Sequence, residues 1–237
     1  MLYVLEEIFK TKKSQHSEYL NLRIQRSLSW LKKAMLLEDD LDLQLVSLWI
    51  AFAALQAHHH TTKDQDNLAT QTNTMQYAFL MQLYSLDHES KIRQILWGKA
   101  QPAVEFLIQH PYTSQDYWDY KNQIIPENVW KARFSSEQQA VSDMLNRHDA
   151  KQVLALLFKK MSVLNLQLLQ GGAHYASTFN RASLQNSCTL LKALLPQFIQ
   201  ILLDHPNRLD TQKTILSDAA TFLNQTLKQV FRMKINA

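Results

Sequence analysis

A chain of 237 residues with 3 glycines and 5 prolines carries far fewer turn-forming residues than the roughly 28 that average usage predicts. That shortage disfavours turn-rich β sandwiches and barrels and Gly-rich nucleotide loops, and the abundance of Leu, Gln, Ala and Lys favours helix, so the predicted fold class is all-α. Charge adds little: 25 Lys and Arg against 21 Asp and Glu leave +4, too small an excess to argue for nucleic acid by itself.

At the amino end, MLYVLEEIFKTKK sets Glu6 and Glu7 inside an apolar stretch and has no long apolar core, so a short packed helix is expected there rather than a secretory signal. Residues 15–37 read as a polar helix with Leu20, Ile24, Leu28, Leu31 and Met35 on its inner face. Its neighbourhood is basic: Lys10, Lys12, Lys13, Arg23, Arg26, Lys32 and Lys33 are opposed only by Glu18. After it, Glu38, Asp39, Asp40, Asp42, Asp64 and Asp66 are opposed only by Lys63. Such a split reads first as a solvated surface, and otherwise as a face that attracts phosphate. A more apolar helix follows over 41–57. Its run from Leu45 to Leu55 is far short of the roughly 20 residues that cross a bilayer, so a soluble, cytoplasmic protein without membrane contact is expected.

Residues 58–73 read as a polar connection. Helix resumes near Thr74 and again from about Glu89 to His110, with Gly98 and Pro102 as break points. The Tyr- and Trp-dense stretch from Pro111 to Arg133 reads as short helices and turns, and 135–148 as a further short helix. Periodicity is strongest beyond 150. Val153, Leu157, Met161, Leu164 and Leu168 form one stripe, and Leu184, Cys188, Leu191, Leu195, Phe198 and Leu202 form another that runs through Pro196, where a bend or kink is expected. A third stripe, Ile215, Ala219, Phe222, Leu223, Leu227 and Val230, predicts a helix over about 210–232. No linker or repeat divides the chain, so one helical domain over 1–237 is expected.

Chemistry-bearing residues are sparse. His58, His59 and His60 are metal-ligand types, but three consecutive residues cannot converge from one helix and no second ligand cluster accompanies them, so no metal is predicted. The lone Cys188 admits no internal disulfide; it reads as a small core residue, and a nucleophilic pairing with His174 has no support in the spacing. No P-loop, GxGxxG, GxSxG or HExxH motif occurs, which removes many enzyme classes and gives no cofactor. Tyr112, Tyr117, Trp118, Tyr120 and Trp130 are of the type that stacks single-stranded bases, but Asp116, Asp119 and Glu127 among them would repel phosphate, which favours core packing. Gly171 and Gly172, two of the three glycines in the chain, stop the helix that ends at Gln170.

The segment ending at that glycine pair resembles the HEPN superfamily, in particular its larger bacterial members. There a helix ending Val-Leu-Arg-Asn-Gln-Leu-Val-His runs into Gly-Gly-Ala; here the residues are Val163, Leu164, Asn165, Leu166, Gln167, Leu168, Leu169 and Gln170, then Gly171, Gly172 and Ala173. Leu48-Trp49-Ile50-Ala51-Phe52 is similar to the family's Trp-Ile-Ala-Phe-Asn element, with Ala53 in place of Asn. Tyr117-Trp118-Asp119-Tyr120, Asn180-Arg181 and Leu194-Leu195-Pro196 with Asp204 extend the likeness over roughly residues 15–206. It implies an antiparallel four-helix bundle with core helices at about 15–37, 41–57, 150–170 and 180–204, an inserted helical region at about 74–148, and a homodimer. In active members it implies a metal-independent endoribonuclease of toxin or defence type, whose Arg-x(4 to 6)-His motif lies at the dimer cleft.

At those two positions this chain carries Asn165 and Gln170, and Leu166 follows where the family has a polar residue. A carboxamide has no proton to exchange near neutral pH and no positive charge, and loss of a general acid/base alone costs about 10²–10⁴-fold in rate. The resemblance therefore implies a catalytically degenerate binding or regulatory module. RNA, a nucleotide or a regulatory protein are its open partners, and Leu166, Gly171, Gly172, His174, Asn180 and Arg181 are its candidate cleft residues. The alternative is an active endoribonuclease with a variant or partner-completed site, in which His174 and Arg181 act as relocated substitutes.

Overall fold

Helix boundaries follow from side chains that satisfy the first free backbone N–H groups. Ser17 Oγ accepts from the N–H of Leu20 at 3.1 Å, Asp40 Oδ1 from Leu43 at 3.0 Å, Asp149 Oδ1 from Gln152 at 3.2 Å, and the Asp87 carboxylate from Lys91 and Ile92 at 3.0 and 2.7 Å. In a computed structural model, residues 2–56 and 68–208 are described, with 68–73 as backbone alone. Among the described residues there are ten α-helices and no strand: α1 Leu2–Lys12, α2 Glu18–Met35, α3 Leu41–Leu55, α4 Leu68–Leu86, α5 Lys91–Leu96, α6 Gln101–Gln109, α7 Gln115–Lys121, α8 Glu127–Asn146, α9 Ala150–Leu169 and α10 Arg181–Asp204. The all-α reading holds. The histidines at 58–60 and the helix expected over 210–232 lie outside the described residues.

Two helix starts differ from those the periodicity predicts. α4 starts at Leu68, ahead of Thr74. α8 starts at Glu127 rather than near 135, because Pro126 ends the preceding turn and the following residues form helix without burying any side chain before Val141. α10 runs through Pro196, as the stripe predicted; apolar burial on both sides of the proline outweighs the one hydrogen bond its missing N–H removes. The break at Gly98 is as expected. A Cβ there would lie 2.4 Å from the carbonyl oxygen of Gln94, so only glycine fits the turn between α5 and α6. Pro102 starts α6, in the first turn where its missing N–H is harmless.

α3 is apolar around most of its circumference and sits centrally. It packs most extensively on α2 and α10, and also on α9. α6 packs on both α10 and α9, more extensively than those two pack on each other, so the region between α3 and α9 contributes to the core. Buried apolar side chains from every helix but α7 join in one cluster running from Leu5 to Leu203. A satellite of Tyr117, Trp118 and Val163, with Tyr112 and Trp130 against it, lies under α7 and α8. α9 is long and apolar enough to cross a membrane by length and composition, and more than half of it is buried in this core.

Candidate functional site

The end of α9 is set by a Schellman arrangement. Gly171 takes φ +72°, the N–H of Gly172 donates to the carbonyl of Gln167 at 2.8 Å, and that of Gln170 to Leu166 at 2.9 Å. A side chain other than hydrogen at Gly171 would be strained there. The two motif positions end up apart. Five residues on a helix are about 140° of rotation, and accordingly Asn165 is 3% exposed while Gln170 is open to solvent. The Asn165 Oδ1 has no hydrogen-bond partner.

The segment that follows is tied back onto the fold. Tyr175 Oη donates to Asp40 Oδ2 at 2.8 Å. Arg181 Nη2 pairs with the buried Asp42 carboxylate at the start of α3, and Arg181 Nε donates to the Ser177 carbonyl at 2.7 Å. Phe179 stacks on Tyr112, ring centroids 4.1 Å apart. Asn180 is buried and His174 is exposed. Of the two candidate substitutes, Arg181 is therefore committed to a structural ion pair, and His174 is exposed.

Cys188 is fully buried in α10, its Sγ against the Leu41 carbonyl at 3.8 Å. Burial pushes its thiol up to about 12, so it is not a nucleophile at neutral pH. Leu166 and Leu169 are exposed and flank the motif, and Leu36, Leu43, Tyr175 and Phe179 are exposed too. Tyr175 is held beside Asp40, which lies between Leu36 and Leu43 in the chain.

The aromatic stretch packs as expected for core. Tyr117 and Trp118 are buried, the Trp118 indole donates to the Tyr112 carbonyl at 2.8 Å, and Trp130 stacks on Tyr120 at 5.9 Å. His110 lies against Phe106 at 4.5 Å, and burial lowers its value from 6.5, favouring the neutral ring. Desolvation raises Tyr117 and Tyr77 to about 12. Together with Cys188 these groups hold protons in the folded chain that the unfolded chain releases above about pH 9–10. Their contribution is complete below pH 9 and is lost as pH climbs toward 12. Between pH 8 and pH 11 these three groups should lower the unfolding free energy by about 2–4 kcal/mol, with both tyrosines discounted for solvent screening, and the buried Lys160, whose value burial lowers, opposes part of that fall. Urea titrations at the two pH values measure this, and equal midpoints would contradict it.

Three of the seven cations near the amino end have carboxylate partners. Lys10 pairs with Glu7 at 2.7 Å, Lys12 with Asp204 at 2.6 Å and Lys32 with Glu6 at 3.5 Å. Arg23 is buried and its Nε donates to the Leu55 carbonyl at 3.0 Å, closing the carboxyl end of α3. No group of three or more His, Cys, Asp or Glu suited to a metal ion occurs among the described residues.

Two clefts of about 420 and 410 Å³ lie elsewhere, along α10. The first is lined by Val4, Ile8, His88, Gln200, Asp204 and His205 among others, and the second by Lys91, Gln94, Lys99 and Gln197 among others; neither includes a motif residue. Sequence spacing gave no sign of Phe179 on Tyr112, of Arg181 on Asp42, or of the fully buried Lys160, whose Nζ donates to Glu137 Oε2 at 2.6 Å. Comparison with family models, with curated proteins and with solved structures finds no match to this chain.

Proposed function

We propose that this chain is a catalytically degenerate HEPN-like module: an antiparallel helical scaffold that dimerises through the end of α9 and binds a partner, with RNA as the family-typical occupant, rather than cleaving it. One observation carries the absence of catalysis. At the end of α9 the position that would hold the phosphate-clamping arginine is a carboxamide sealed in the core, Asn165, and the nearest substitute, Arg181, is already neutralised by Asp42. In the family's chemistry a guanidinium holds the phosphate and its developing charge, and a titratable group shuttles the proton. Among the candidate residues His174 is the one imidazole, and the motif positions supply it no cationic partner. The exposed Leu166 and Leu169 support self-association, since they present apolar surface at that same helix end.

Purified protein incubated with a labelled single-stranded RNA in EDTA is expected to leave the RNA intact, and to sediment as a dimer at tens of micromolar. Leu166→Glu with Leu169→Glu is expected to shift it to monomer without loss of helicity. Cleavage to 2′,3′-cyclic phosphate ends that disappears in His174→Ala would establish the endoribonuclease reading instead. A wild-type monomer at that concentration would remove the dimer from the proposal.

A further inference from the structure

α2 has a second face that nothing among the described residues covers. Its inner face buries Leu20, Ile24, Leu28 and Leu31, and its outer face presents Leu22, Arg26, Ser29, Trp30, Lys33 and Leu36. At 100° per residue these six fall within about 120° of arc, a stripe some 20 Å long. Leu22 is 41% exposed, Trp30 39% and Leu36 75%. Arg26 and Lys33 form no ion pair with any described residue, and no acidic side chain occurs between Glu18 and Leu37. Trp and Arg ringed by aliphatic side chains are the composition of interface hot spots.

Charge decides what fits this stripe. A second copy paired antiparallel about a two-fold axis that sets Leu22 against Leu36 also sets Arg26 beside Lys33, and a parallel pair sets each cation against itself; like charges at an interface are unfavourable. An anionic membrane gains only about 1 kcal/mol from each of two such cations, and two phosphate contacts leave nucleic-acid binding weak. A helix from another protein, with acidic residues flanking an apolar i, i+4, i+7 stripe, satisfies the cations and covers Trp30 and both leucines in one contact.

We propose that the outer face of α2 is a docking surface for an acidic amphipathic helix of a different protein. The contact is independent of the α9 motif. It stands whether or not the degenerate-site reading does.

The test uses the full chain and a labelled peptide of about 18 residues with Leu at i, i+4, i+7 and i+11 and Glu and Ala elsewhere, read by fluorescence anisotropy. A face of about four turns supports a small, transient contact, so a dissociation constant in the tens of micromolar is expected, weakening at least tenfold at high salt. Trp30→Ala, and separately Arg26→Glu with Lys33→Glu, are each expected to weaken binding at least tenfold while circular dichroism stays unchanged, since these side chains lie outside the core. A peptide with Lys in place of Glu is expected not to bind. The proposal is overturned if the acidic peptide fails to bind, or if charge reversal leaves its affinity unaltered. It is equally overturned if oligouridine or phosphatidylserine vesicles bind this face in the peptide's place.

Discussion

Phe158→Ala is expected to cost about 3–5 kcal/mol of unfolding free energy, the range for truncating a fully buried phenylalanine. Phe158 is 0% exposed in α9, and its ring meets Phe52 of α3 at 4.5 Å, Phe198 of α10 at 5.8 Å and Trp49 at 6.3 Å. Phe52 in turn reaches Phe79 of α4 at 6.1 Å. Four helices thus meet through one set of rings, and the cavity left by truncation has walls on rigid elements that cannot all close on it. Urea unfolding would measure the loss. The same cluster predicts non-additivity with Phe52→Leu, because the two residues share a contact. A loss under about 1.5 kcal/mol would mean that the cluster collapses freely and does not tie the helices together.

The second large effect is an asymmetry. Lys160 is 2% exposed with Glu137 as its ion-pair partner, while Glu137 on α8 is 24% exposed. Glu137→Ala leaves an ammonium buried without its counter-charge and is expected to cost about 2–4 kcal/mol, the lower part of the range for breaking a buried pair because Glu137 is partly solvated. Lys160→Met leaves only a carboxylate that can turn to water, and is expected to change stability by less than about 1 kcal/mol or to raise it. The pH response has a definite sign. Burial lowers the Lys160 value below 10.5, so in the window between that lowered value and 10.5 the folded chain holds fewer protons than the unfolded one. This group's contribution therefore rises with pH there. In Glu137→Ala the rise should steepen, since the attraction that opposes deprotonation is gone. Equal costs for the two variants, measured by chemical unfolding, would show that the lysine's stem rather than its charge matters.

Most of the helical scaffold was legible in the sequence because burial there follows a single period. Leu184, Cys188, Leu191, Leu195, Phe198 and Leu202 were expected on one face, and all six are buried. α2, α3, α9 and α10 fall within two or three residues of the expected bounds, since Ser17, Asp40, Asp149 and Gly171 mark their ends with local chemistry. α8 was under-read because most of it buries nothing, so its first three turns carry no apolar period to detect. The site was less legible. Asn165 and Gln170 are named by resemblance, but that one points inward and the other outward depends on which face of α9 meets the core. Arg181 offered itself as a free cation in the sequence; its partner Asp42 is 139 residues away. Arg23, one of seven apparent surface cations, proved to be an internal cap for α3. In each case the partner is distant in the chain, and only tertiary structure brings the two together.

α8 buries just Val141 and Met144 of its twenty residues. Its amino-terminal three turns hold to the body by Arg133 on Asp116, Trp130 on Tyr120 and Glu137 on Lys160. Solvent-facing positions among those turns, such as Glu127, Ala132 and Ser136, are where the chain can drift in evolution, carry a fluorophore or accept a graft with least disturbance to what lies beneath.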